Sequence, residues 1–272
     1  MATDLLDLAD RLWRGEADMD QRRLFGMGGE LAELDGGHAF VAAFSNVAAF
    51  STADGMVLVD TSSPFLAGRV HDVLREWRGN PLHTAVFTHG HIDHVFGVER
   101  YEADARDRGA PPPRVVAHEA VPPRFDRYIA SAGYNTDINR RQFGIDRLEW
   151  PTDYRYPDET YRDALALDVG GVRFELRHAR GETDDHTWVW MPEARILCTG
   201  DLFIWASPNC GNPRRCSGTP RTGRTRCGRW PSWAQRRCSP DTASPSSVSI
   251  GSASRSRTRP SSSRRCTTTP SG

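Results

Sequence analysis

Residues 88–94 read Thr-His-Gly-His-Ile-Asp-His, so three histidines and one aspartate lie within six positions. Neutral imidazole and carboxylate groups are the ligands that zinc and similar divalent metals prefer in proteins. The i, i+2 spacing of His89 and His91 lets a loop at a strand end aim both rings at one ion, whereas Asp93 and His94 point elsewhere and suit a second ion close by. The alternative is a histidine-rich surface loop, but such loops rarely place an aspartate between the histidines. The heptad therefore predicts a metal site.

The elements around the heptad follow from the spacing of apolar residues. Amphipathic patterns predict helices at 4–14 and 64–77 and a helical region over roughly 119–148. Strands are predicted near 38–44, 47–51, 56–59, 84–88, 114–117, 162–168, 171–177, 186–191 and 195–199. Strands with a helix between them, and ligands at strand ends, predict a layered α/β fold.

The heptad resembles the metal-binding motif of the metallo-β-lactamase fold hydrolases, and further landmarks follow in that family's order. Asp60 ends the strand before the first helix, and Gly200-Asp201 follows a later strand, where the family places a metal-bridging aspartate. The resemblance covers about residues 36–210. It implies a four-layer αββα metallo-β-lactamase-like sandwich with two metal ions, usually zinc, along one edge of the sheets.

One position of the resemblance leaves two candidates for a ligand. The family usually places a histidine in a turn that aligns with residues 181–187, and Glu182 occupies that place here. A carboxylate is a competent zinc ligand, and glutamate at this point is similar to the alkylsulfatase branch of the superfamily. His178 is the competing candidate, although it lies inside the predicted strand that precedes the turn.

The resemblance also implies how the ligands divide between the two metals. The first ion is held by His89, His91 and Glu182, the second by Asp93 and His94, and Asp201 bridges the two. Asp93 and Asp201 are the expected catalytic carboxylates. A water shared by two cations loses a proton near neutral pH and becomes the attacking hydroxide.

Four other residues near these motifs are expected to support the site or the core rather than to bind metal. Asp60, His118 and His186 are predicted to be supporting or structural residues. Cys198 lies in an apolar strand and is predicted to be a small buried side chain.

A segment rich in arginine and aromatic residues, over residues 124–143, is the candidate for substrate contact. Arginine in such a segment can grip a sulfate, phosphate or carboxylate group. The candidate residues are Arg127, Tyr128, Asn139 and Arg141. The alternative interpretation is a solvated helical face with aromatic packing beneath it.

Composition changes abruptly near residue 211. Beyond residue 210 the chain has 13 arginines, 14 serines, seven prolines, no leucine and one acidic residue, Asp241. Such a segment cannot bury enough apolar surface to fold. We therefore divide the chain into a helical lead-in over 1–35, an incomplete metallo-β-lactamase-like domain over 36–212, and a basic low-complexity tail over 213–272 that is expected to be disordered.

The tail replaces the region where the family places its last metal ligand, a histidine typically in a Pro-Gly-His turn. No histidine follows His186 in this chain. One interpretation is a genuine basic tail that contacts nucleic acid or an acidic surface. The favoured interpretation is a reading-frame error that starts near residues 212–215. In the shifted frame the codons for residues 239–243 can encode Leu-Pro-Gly-His-Gly, which would supply the missing histidine.

The expected function is that of a metal-dependent hydrolase that uses two zinc ions, or iron or manganese, to cleave a small-molecule ester. The glutamate points to an alkyl sulfate ester, although a motif that identifies a fold says little about the substrate. We expect this chain to be impaired by the loss of the last ligand. The rival hypotheses are a non-catalytic one-metal protein whose basic tail contacts nucleic acid, and a di-iron redox relative.

The location and partners of the chain are predicted from simple features. No apolar stretch approaches the roughly 20 residues of a membrane span, and the acidic N-terminus shows no secretory signal. We therefore expect a cytoplasmic protein without membrane contact. Nucleic acid is not an expected partner if the tail is out of frame, and the oligomeric state is not readable from the sequence.

Overall fold

Two β-sheets pack face to face, and helices cover the outer face of the larger sheet. The computed structural model describes residues 5–14, 16, 28–204, 207–208 and 249–250. The strands of the larger sheet are β1 (Glu30–Leu34), β2 (His38–Ala42), β3 (Val47–Thr52), β4 (Gly55–Val59), β5 (Leu82–Val86), β6 (Arg114–His118) and β7 (Glu159–Tyr161). They lie in chain order, antiparallel from β1 to β4 and parallel from β4 to β7.

The second sheet is built from later segments. Its strands are β8 (Ala164–Val169), β9 (Val172–His178), β10 (Thr187–Met191), β11 (Ile196–Cys198) and β14 (Ser249–Ile250). β8 to β11 form an antiparallel meander, and β14 pairs in parallel with β11. A separate two-stranded ribbon consists of β12 (Phe203–Ile204) and β13 (Ser207–Pro208).

In chain order, each α-helix of the described residues except the first comes between two strands of the larger sheet. The helices are α1 (Leu5–Arg14), α2 (Ala67–Trp77), α3 (Ile92–Val95), α4 (Val98–Asp107), α5 (Val121–Ala130) and α6 (Ala132–Phe143). Prolines in the first turn start α5, where their missing N–H groups cost nothing. Gly144, in the left-handed conformation at φ 66°, ends α6.

The apolar residues of the central strands alternate between two cores. In β4, Met56 and Leu58 pack against the helices, whereas Val57 and Val59 pack against the second sheet. This is the period of two that a strand buried on both faces requires. Trp188 and Trp190 lie in a third cluster, on the other face of β10. The order helix, sheet, sheet within the described residues confirms the predicted layered α/β sandwich.

Most predicted elements are present, with several corrections. Each predicted strand lies within two residues of its expected bounds. The helical lead-in over 1–35 is wrong at its end, because β1 pairs with β2 across a tight turn at Gly36 and Gly37, which both have positive φ. The helical region over 119–148 breaks at Ser131 into α5 and α6. Helix α4 and strand β7 were not predicted.

The topology brings the chemistry-bearing segments to one edge. The parallel strands β4, β5 and β6 end at this edge, and Asp60, Thr88 and His118 lie at or just beyond those ends. The backbone N–H of Thr187 donates to the Thr88 carbonyl at 2.6 Å and joins the second sheet to the first there. No helix of the described part is long and apolar enough to cross a bilayer. The predicted tail over 213–272 lies outside the described residues except for Ser249–Ile250.

Candidate metal centre

The heptad begins as a loop after β5 and ends inside the short helix α3. His89 and His94 are almost inaccessible to solvent, and His91 is the residue before α3. Gly97, which follows α3, packs so closely that an added Cβ would lie 2.1 Å from the carbonyl oxygen of Thr61. Position 97 therefore requires a glycine, because a larger residue would not let the end of α3 pack this closely against Thr61, just beyond β4.

Asp60 orients two histidines of the loop. Its Oδ2 accepts hydrogen bonds from Nδ1 of His94 at 2.7 Å and from the hydroxyl of Thr88 at 2.8 Å. Because Thr88 uses its only hydroxyl proton for Asp60, Nδ1 of His89 is the donor in the 3.1 Å contact between His89 and Thr88. Both imidazoles are therefore held with Nε2 directed away from Asp60. A carboxylate behind the imidazole in this way is typical of histidines that bind metals.

The candidate ligands form two groups that share His89. The first cluster is His89, His91 and Glu182, and the second cluster is His89, His94 and Asp201; within each, one potential ligand atom per residue lies within 4.8 Å of the others. In the first cluster His91 Nδ1 lies 3.9 Å from a Glu182 oxygen. In the second, His94 Nε2 lies 3.6 Å from Asp201 Oδ1.

Asp93 lies beside the second cluster. Its Oδ2 is 3.5 Å from Nε2 of His94 and accepts a hydrogen bond from the hydroxyl of Ser45 at 3.2 Å. Ser45 belongs to the loop between β2 and β3 and also contacts His94 Nε2 at 2.7 Å. Ser45 was not predicted as part of the site, because nothing in the local sequence connects it with the heptad.

Of the two candidates near the aligned turn, the structure brings Glu182 to the first cluster. His178 ends β9 and stacks on His118, with ring centroids 3.8 Å apart and planes 15° apart. Its Nδ1 donates to the carbonyl of His186 at 3.0 Å. Nδ1 of His118 accepts from the backbone N–H of Ala120 at 3.2 Å. The rings of His118 and His178 therefore stack on each other, and His178 is not in either group of candidate ligands.

His186 forms a wall of the site. Its ring is fully buried and stacks on His89 at a centroid distance of 4.5 Å. Gly200 lets the turn that carries Asp201 approach it, since a Cβ at this position would lie 2.6 Å from the His186 ring and its φ is +48°. Cys198, just before this turn, is a buried free thiol, and burial raises its pKa.

The electrostatics of the site suit a divalent cation. Burial lowers the pKa of His89 well below its usual value, and the neighbouring imidazoles lower it further, so His89 is neutral. Burial also opposes the charged form of His94, but the carboxylates of Asp60, Asp93 and Asp201 outweigh it and raise its pKa. Burial raises the pKa of Asp93, whereas for Asp201 the attraction of His94 overcomes burial and lowers the pKa. The neutral His89 imidazole fits zinc or a similar ion, and the carboxylates that favour a positive charge on His94 would also favour a bound cation beside it.

The four residues predicted to contact substrate lie in different surroundings. Tyr128 is buried, and its ring centroid is 6.3 Å from that of His91. Arg127 is exposed and lies over the outer face of Tyr128, 5.1 Å from the ring centroid. Asn139 donates to the carbonyl of Asn135 within α6, and Arg141 is exposed on the same helix. Of these four, Tyr128 is therefore the residue that the structure brings to a candidate ligand.

Arg124 is the arginine of this segment that reaches the site. It is buried, and its guanidinium pairs with Asp184 and Asp185, in the turn that follows Glu182. Arg124 belongs to the predicted substrate-contact segment but is not one of its four named candidates. The available signal was the pair of acidic residues in the turn, which needs a cation if it is to be buried.

The profile of the Metallo-beta-lactamase superfamily matches residues 42–213, more than half of the chain. The chain belongs to that superfamily. The linear primary-alkylsulfatase of Pseudomonas sp. (strain ATCC 19151) is 24% identical over 189 residues, which cover 61% of this chain and 34% of that protein. This metallo-β-lactamase superfamily chain therefore spans about a third of that relative's length.

Solved structures agree on the fold. The sec-alkylsulfatase Pisa1 from Pseudomonas sp. superimposes with a TM-score of 0.59 at 19% identity, over 74% of this chain and 35% of that chain. The metallo-beta-lactamase from Pontibacter korlensis gives a TM-score of 0.51 at 20% identity, over 76% of this chain and 86% of that chain. At these identities the similarity shows a shared fold and carries no statement about the substrate.

Proposed function

We propose that the chain is the metal-binding part of a hydrolase that cleaves an ester-type bond with two divalent cations, zinc being the expected metal. The observation that carries the proposal is the sharing of His89 between the two clusters. Two ions held by clusters that share one buried side chain would lie close together. When bound, such ions lower the pKa of a water molecule between them and polarise the bond that breaks.

The residues of the chain have distinct roles in this proposal. His91 and Glu182 hold the first ion together with His89, and His94 and Asp201 hold the second. Asp93 lies beside the second cluster, 3.5 Å from Nε2 of His94, and its carboxylate is expected to contact the second ion or the attacking water.

An apolar surface beside the site supports a substrate with a hydrocarbon part. Phe44 and Phe143 contact each other edge to face, with centroids 6.5 Å apart, and the two residues are 41% and 39% exposed. Phe44 is adjacent to Ser45, which contacts Asp93 and His94. A hydrocarbon chain on this surface would place its polar end at the second cluster. Together with the similarity to a linear primary-alkylsulfatase, this favours an alkyl sulfate ester.

The last ligand sets the expected level of activity. The family's final histidine has no counterpart after His186. We therefore expect the chain to hold the first ion more tightly than the second and to turn over substrate slowly. Restoring the alternative frame after residue 212 is expected to restore both.

The test combines metal content with sulfate release. After reconstitution with zinc, the 272-residue chain is expected to retain metal, and the His89→Ala variant is expected to lose the first ion, because Nε2 of His89 is a ligand of that ion in this proposal. The frame-restored chain is expected to release sulfate from octyl sulfate faster than the 272-residue chain. A wild-type chain that retains no metal, or a His89→Ala variant that retains as much as wild type, would contradict the proposal. A di-iron redox protein would bind iron on reconstitution but would release no sulfate from octyl sulfate.

A further inference from the structure

Arg124 connects helix α5 with the turn that carries Glu182. Its Nε donates to Asp185 Oδ2 at 2.6 Å, and its Nη2 donates to Asp184 Oδ1. The side chain of Asp185 is completely buried, and that of Arg124 is 7% exposed, whereas Asp184 is largely exposed. The buried pair is therefore Arg124 with Asp185, and Asp184 adds a contact at the surface.

Asp185 continues the connection to the histidine loop. The same Oδ2 that pairs with Arg124 accepts the backbone N–H of Gly90 at 3.0 Å. Gly90 lies between His89 and His91 in the chain. A Cβ on Gly90 would lie 2.8 Å from Cδ of Arg124 and 3.1 Å from Asp185 Oδ2, so the loop, the arginine and the aspartate pack without spare room.

These contacts join three segments at the first cluster. One carries His91, one carries Glu182, and the third is helix α5, which lies outside both clusters. The second cluster has separate support, because Asp60 and Ser45 contact His94. A change at Arg124 should consequently affect the two clusters unequally.

We infer that Arg124 is a positioning residue for the first cluster, and that it acts through Asp185 and Gly90 to fix the distance between His91 and Glu182. The inference rests on the proposed metal site. It goes beyond that site because Arg124 pairs with Asp184 and Asp185, which are not candidate ligands. Its consequence is that loss of the Arg124–Asp185 pair lowers the affinity for the first ion more than the affinity for the second.

A purely structural ion pair is the competing explanation, and it makes a different prediction. Removal of one partner from a buried pair leaves an uncompensated charge and destabilises the fold. If that were the whole role, any variant with the same loss of stability would lose metal affinity equally. Leu74→Ala provides this comparison, because Leu74 is fully buried in α2 within the core between the helices and the larger sheet.

The experiment is a titration of the metal-free 272-residue chain with Co²⁺, followed by visible absorption, with urea unfolding of each variant measured in the metal-free state. Arg124→Met is expected to lower the affinity of the first cluster for Co²⁺ by about 10–100-fold, which is the range typical of losing a residue that orients a metal ligand. Arg127→Met, on the exposed side of the same helix, is the matched control and is expected to bind as wild type does. Arg124→Lys keeps the charge, and it is expected to fold and to recover part of the affinity.

A double-mutant cycle assigns the effect to one cluster. In a Glu182→Gln background the first cluster has already lost its carboxylate, so Arg124→Met should cause no further loss of Co²⁺ affinity. An equal loss in both backgrounds, or an equal loss in Leu74→Ala, would overturn the inference and leave the metal site intact. An Arg124→Met variant with wild-type affinity would also overturn it. Failure of the wild-type chain to bind Co²⁺ would overturn the proposed function itself.

Discussion

Asp60 accepts a hydrogen bond from Nδ1 of His94 at 2.7 Å, and both side chains are almost completely buried. Asp60 has a left-handed backbone conformation, with φ of 63°, at the end of β4. Since the same carboxylate also accepts the hydroxyl of Thr88, one residue outside the two groups of candidate ligands orients imidazoles in both clusters.

The first prediction concerns this carboxylate. Asn tolerates the left-handed conformation, so Asp60→Asn is expected to keep the backbone while it removes the charge behind His94. The zinc affinity of the second cluster should fall by about 10–100-fold. Competition with a chromophoric chelator measures this affinity, and wild-type affinity in the variant would show that Asp60 has no such role.

A second prediction concerns the close contact at Gly97. In Gly97→Ala the new Cβ would lie 2.1 Å from a backbone oxygen of Thr61, which cannot move without shifting β4. The free energy of unfolding should fall by about 1–3 kcal/mol or more. The control is Gly133→Ala in α6, where no atom lies within 4 Å of the added Cβ and the helix should become slightly more stable. Urea unfolding of the metal-free chains compares the two, and equal stabilities would contradict the packing described here.

The third prediction is a pH dependence from the stacked pair of His118 and His178. Burial lowers the pKa of both rings below the ordinary value of 6.5, although nearby carboxylates such as Asp185 oppose this effect. The unfolded chain then binds more protons than the folded chain as the pH falls through 6.5, so stability is present above that pH and decreases below it. His118→Gln should flatten the dependence of the unfolding free energy on pH. If the unfolding free energy of the variant had the same slope against pH as that of wild type between about pH 5 and 7, this prediction would be wrong.

A fourth prediction tests the apolar surface. Phe44→Ala in the frame-restored chain should raise KM for octyl sulfate several-fold and leave methyl sulfate hydrolysis almost unchanged, because each buried methylene contributes about 0.8 kcal/mol. Phe44 is partly exposed, so the fold should not be affected. Equal effects on the two substrates would place the hydrocarbon chain elsewhere.

The sequence predicts those parts of the molecule that depend on local patterns. Strand β5 with the heptad is readable because an apolar run ends directly at the histidines. β1 was missed because Leu31 and Leu34 are three residues apart and fit a helix as well as a strand. Its hydrogen-bonded pairing with β2 makes this segment a strand.

The supporting contacts of the site were not predictable in the same way. Arg124 and Asp185 are separated by 61 residues, and no local pattern announces their contact. The choice between Glu182 and His178 also depends on a distant residue, because His118 takes up His178 in a stacked pair. Tertiary packing therefore determines these side chains.

Anomalous diffraction at the zinc edge, from crystals of the 272-residue chain soaked in zinc, tests the central claim most directly. The account predicts a strong peak among His89, His91 and Glu182 and a weaker peak between His94 and Asp201. Zinc bound at the His118–His178 pair with neither cluster occupied, or no zinc at His89, would contradict it.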